Sequence, residues 1–75
     1  MKEYEVSITY LNGCSGAAYP QISFEEIEVN SPEDYIRDKH GKNAEKFVRE
    51  TGADGREKFT FANGAVKYIY EFTEL

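Results

Sequence analysis

The sequence predicts an α+β domain of order β-β-α-β-β, with one helix packed across a four-stranded sheet. Three observations carry that expectation. Residues 3–11 alternate with a period of two, Ser31-Pro32 opens a run of apolar residues at three- and four-residue spacing, and Asn63-Gly64 separates two alternating aromatic segments. Seventy-five residues, 40% hydrophobic and 31% charged, suit a single globular domain over 1–75.

The first strand places Tyr4, Val6, Ile8 and Tyr10 on one face and Glu5, Ser7 and Thr9 on the other, and Asn12-Gly13 ends it with turn chemistry. A small, Gly-rich loop runs on to Pro20. The segment Ile22 to Val29 reads as a second strand with a phase fault. Ile22 and Phe24 share one phase and Ile27 and Val29 the other, so either a β-bulge falls near Glu25-Glu26 or the strand begins near Glu26.

Ser31 suits an N-cap, Pro32 the first helical position, and Glu33 and Asp34 the positive end of the helix dipole. Ile36, His40, Ala44, Phe47, Val48 and Thr51 then keep one helical stripe, which predicts a helix over 32–51 closed by Gly52. The alternative is a break at Gly41, with Asn43 capping a second helix. In the last segment a type I′ turn at Asn63-Gly64 would pair Phe61 with Val66 and Phe59 with Tyr68. Phe59, Phe61, Val66, Tyr68, Tyr70 and Phe72 then share one face, the expected floor beneath the helix.

Leu11-Asn12-Gly13, Ala44-Glu45-Lys46, Ala53-Asp54-Gly55 and the closing strand Phe72-Thr73-Glu74 resemble the immunoglobulin-binding domains of streptococcal protein G. The Phe61-Ala62-Asn63-Gly64 turn is similar to that of the protein L domains. The resemblance implies a β-grasp-like topology. It does not extend to the antibody interface, because the tryptophan that protein G uses there has no counterpart in this chain.

The formal net charge of −5 is uneven. Up to Tyr35-Ile36 the acids Glu3, Glu5, Glu25, Glu26, Glu28, Glu33 and Asp34 face a single base, Lys2; beyond it acids and bases nearly balance. Such a distribution disfavours direct nucleic-acid binding, which needs clustered Lys and Arg. No apolar run is long enough for a membrane span and the start lacks a signal-peptide core, so a cytoplasmic location is expected.

No catalytic set, metal site or cofactor motif is expected. The glycines fit neither a P-loop nor a dinucleotide fingerprint. The one cysteine, Cys14, has only His40 as a candidate base, and the pair reads as a loop thiol and a packed histidine. Lys39, Lys42, Lys46 and Arg49 read as a solvated helix face, with an acidic-ligand face as the alternative. The candidate partner-binding residues are Glu25, Glu26, Glu28, Glu33 and Asp34, with Tyr19 and Tyr35 as amphipathic anchors. The functional expectation is a small non-enzymatic protein-binding module, monomer or weak homodimer, whose partner has a basic surface. Its sharpest form is a phage or mobile-element antagonist that mimics nucleic acid and inhibits a host defence protein. The alternative is a small bacterial regulatory or housekeeping domain that dimerises through a strand edge.

Overall fold

The computed structural model describes residues 1–12 and 20–75. Cys14 and Tyr19 lie outside the described residues. The chain forms β1 (Lys2–Asn12), β2 (Gln21–Val29), helix α1 (Pro32–His40), a 3₁₀ turn (Gly41–Lys46), β3 (Val48–Thr51), β4 (Glu57–Asn63) and β5 (Val66–Glu74). All pairings are antiparallel, in the order β2-β1-β5-β4-β3. One helix packs on one sheet, so the α+β class holds, but the sheet has five strands where four were expected.

The extra strand comes from the end of the expected long helix. Gly41 adopts φ 58° and ψ −124°, donates its backbone N–H to Arg37 and stops α1 after nine residues. The 3₁₀ turn then delivers Phe47 onto the Phe61 ring, stacked at 5.2 Å between centroids. From Val48 the chain is extended and pairs with β4, Val48 opposite Thr60 and Thr51 opposite Glu57. The helical stripe across Gly41 therefore dissolves, and with it the expected basic helix face. Arg49 lies on β3, where it holds Glu33 of α1 and Glu57 of β4 at once. Gly52 opens the loop between β3 and β4, its N–H bonding to Arg56 at 2.8 Å. Ser31 makes no side-chain cap; its carbonyl instead accepts from Asp34 N at 3.1 Å.

Strand β2 carries no bulge. Its ladder with β1 is unbroken from Lys2↔Val29 to Tyr10↔Gln21, so Ile22 and Phe24 turn away from the helix and stay 59% and 66% exposed. The edge ladder is continuous, and two apolar side chains are left exposed as its consequence.

The C-terminal hairpin is present, with its turn one residue later than expected. Asn63 pairs with Val66, Phe61 with Tyr68 and Phe59 with Tyr70. Gly64-Ala65 is thus the two-residue loop, and only Gly64 has positive φ, the signature of a type II′ turn rather than I′. The pairing shifts by two residues, an even number, so every aromatic keeps its expected face.

That face is the core. Tyr4 and Val6 of β1, Phe59 of β4, Tyr70 and Phe72 of β5, and Tyr35 and Ile36 of α1 are buried together. His40 closes one end, packed on Phe47 at 4.9 Å and Tyr68 at 5.1 Å, with Nε2 2.8 Å from the Tyr70 hydroxyl. Burial, and secondarily the Lys39 charge, pushes its imidazole below the ordinary histidine range. The unfolded chain then binds more protons at this position just below pH ~6.5, so the stability His40 contributes is present above that value and lost as pH falls through the folded-state one. Thermal melts at about pH 7.5 and about pH 5.5 are expected to show a drop in Tm on acidification that His40→Gln largely removes. An equal drop in the variant would assign the effect to other groups.

Among the described residues, no helix is long and apolar enough to cross a membrane.

Candidate functional site

The face of the sheet turned away from α1 is open, and its composition follows from the register. Four rows run across β2 and β1 on this side: Glu28 beside Glu3, Glu26 beside Glu5, Phe24 beside Ser7, and Ile22 beside Thr9. The first two rows set carboxylates directly opposite one another on neighbouring strands. Like charges in that position destabilise a sheet, by a few tenths to about 1 kcal/mol per pair. No ion pair among the described residues involves any of these four; the bases instead engage Glu33, Asp34, Asp54, Glu57, Glu71 and Glu74. Glu3, Glu26 and Glu28 line a shallow depression floored at its edge by Leu75. Along each strand the carboxylates recur about every 6.8 Å, two residues of rise.

The candidate residues read from the sequence do not form one surface. Glu26 and Glu28 belong to the open face. Glu25, between them in sequence, points to the helix side opposite Val6 and accepts a 2.8 Å hydrogen bond from the Tyr35 hydroxyl. Glu33 and Asp34 sit on α1, across the sheet from the quartet, paired with Arg49 and Arg37. Tyr35 is 7% exposed and packs edge-on to Phe72 at 5.6 Å and Tyr70 at 5.9 Å. Its phenol is pushed well above the ordinary tyrosine range by burial first and by Glu25 second. A buried, hydrogen-bonded tyrosine belongs to the scaffold and offers a partner no anchor.

Two members of the quartet, Glu3 and Glu5, fall outside the candidate set read from the sequence. The signal for them was their place on the polar phase of β1, and it gains meaning only once the hairpin register puts Glu28 and Glu26 beside them. An exposed aromatic of this surface is Phe24, which shares its phase with Ile22 and not with Ile27 and Val29.

Among the described residues, no three His, Cys, Asp or Glu side chains gather in a way that would hold a metal ion. Comparison with protein-family models, with curated proteins and with solved structures finds no match for this chain.

Proposed function

We propose that the chain is a non-enzymatic protein-binding module that engages a partner with a basic surface through Glu3, Glu5, Glu26 and Glu28, with Phe24 packing alongside. The observation that carries this reading is the two Glu-opposite-Glu positions in the register of the open face. A hairpin that served only as scaffold would gain stability by replacing one member of each pair. Four carboxylates at strand spacing also present a dense negative patch to a surface built for phosphates, so the sharpest form of the reading is an antagonist occupying the nucleic-acid-binding surface of a defence protein.

The test is affinity capture from a host lysate with the unmodified chain and with Glu26→Lys combined with Glu28→Lys. The double change turns two repulsive pairs into attractive ones, so the variant is expected to be as stable or up to about 1 kcal/mol more stable. Capture of basic partners is expected to fall at least about tenfold, a loss of some 1.4 kcal/mol in binding. Glu45→Lys, exposed on the 3₁₀ turn, serves as the charge control. Undiminished capture by the double variant would sink the proposal.

A further inference from the structure

Beyond the acidic rows, one row of the open face is made of β-branched residues in a pattern that fits a second copy of itself. Ile22, Thr9, Ile69, Thr60 and Val48 stand in one row that crosses all five strands, each opposite the next in the pairing register. Ile22 and Val48 are 59% and 60% exposed, and Phe24, two residues along β2 from Ile22, is 66% exposed. A solvent-facing sheet surface is ordinarily polar along such a row.

We infer that two chains associate face to face about a two-fold axis lying along this row. Each row residue then meets its own counterpart, apolar on apolar at Ile22, Ile69 and Val48, with the sheets about 10 Å apart and inclined by roughly 30°. The rows on either side of the axis exchange. On β5, Lys67 and Glu71 stand two residues before and after Ile69 on this same face. The two-fold therefore sets Lys67 of each copy against Glu71 of the other, where Glu71, 3.7 Å from Arg56 of its own copy, would accept a second cation, an opposite-charge pair made twice. Lys67 is exposed and makes no ion pair among the described residues. Lys58, opposite both Glu71 and Glu50, is balanced within its own sheet. The Glu3, Glu5, Glu26, Glu28 quartet lies two and three rows from the axis, about 14 and 20 Å along the strands and outside the overlap, so it stays available at both ends of the dimer, whereas Phe24, one row from the axis, is covered in it.

Pairing through the strand edges is disfavoured by the same residues. Self-pairing of β2 would gather Glu25, Glu26 and Glu28 of both copies around one axis, and β3 has only four residues to offer. Five strands about 4.8 Å apart and some 20 Å of overlap along them cover on the order of 500 Å² per copy, below the ~800 Å² of a standard interface. The dimer is therefore concentration-dependent.

Sedimentation equilibrium tests this. The apparent mass is expected to rise from 8.6 kDa toward twice that value as concentration increases from the low micromolar to the near-millimolar range. Ile69→Lys is expected to hold the chain monomeric throughout with unchanged far-UV circular dichroism. Lys67→Glu alone and Glu71→Lys alone are each expected to be monomeric, because each turns both opposite-charge pairs into like-charge ones. An equimolar mixture of the two restores both opposite-charge pairs and is expected to dimerise again. Glu26→Lys with Glu28→Lys, expected to weaken partner capture, is expected to leave the dimer mass unchanged. A wild-type chain that stays monomeric throughout, a dimer that survives Ile69→Lys, or a mixture that fails to associate would each overturn the inference.

Discussion

Replacing Phe72 by alanine is expected to remove about 3–5 kcal/mol of stability, the cost of deleting a fully buried aromatic and leaving a cavity. Phe72 is 1% exposed on β5, the central strand of the sheet. Its ring meets Tyr4 of β1, Tyr35 of α1 and Phe59 of β4 edge-on, at centroid distances of 6.2, 5.6 and 5.7 Å. One side chain thus ties two neighbouring strands and the helix together. At 0.05–0.15 kcal/mol per residue, a domain of this size has roughly 4–11 kcal/mol in all. The alanine variant is therefore expected to lose most of its cooperative urea transition and its near-UV signal, while Phe72→Leu retains a shifted but cooperative one. A loss below about 1 kcal/mol would mean that the core is organised around other residues.

The core was legible in the sequence because alternation is a strong and local signal. Tyr4, Val6, Phe59, Tyr70 and Phe72 lie on the faces their phase assigns, and the even shift at the Gly64-Ala65 turn left that assignment intact. What alternation does not encode is whether a strand keeps its ladder or its burial when the two conflict. In β2 the ladder was kept, and Ile22 and Phe24 became surface. The same limit hid the candidate site. Glu25, Glu26 and Glu28 look equivalent as a charge run, yet one residue of register sends Glu25 to the Tyr35 hydroxyl and the other two to the open face. Tyr35 reads in the sequence as an amphipathic anchor accompanying the acidic cluster, but with Pro32 and Ile36 it makes the buried side of α1. Charge composition points to the β1–β2 hairpin, and cross-strand pairing decides which of its carboxylates stand together.

Gly41→Ala is the sharpest test of why the expected 20-residue helix does not form. Apolar spacing alone runs through Gly41 without interruption, so the break has to come from the backbone. At φ 58° and ψ −124°, Gly41 lies where an L-residue is strained, whereas an added Cβ would meet nothing within 4 Å. The cost of alanine is therefore conformational rather than steric, and about 1–3 kcal/mol is expected. Because alanine also favours helix, the variant pulls the chain toward continuing α1, which would draw Phe47 off Phe61 and unpair Val48 from Thr60. Amide exchange in β3 and on the outer side of β4 is expected to accelerate ahead of the rest of the sheet. Chemical synthesis supplies the control, since D-alanine at this position has the mirrored conformational map and finds these dihedrals in a favoured extended region. The D-variant is expected to match the parent or exceed it by about 0.4–1 kcal/mol, through the unfolded-state entropy it removes. If the L- and D-alanine chains lose stability equally, backbone conformation at Gly41 is not what ends the helix. If only the L-form does, one glycine dihedral divides helix from strand and gives the sheet its fifth member.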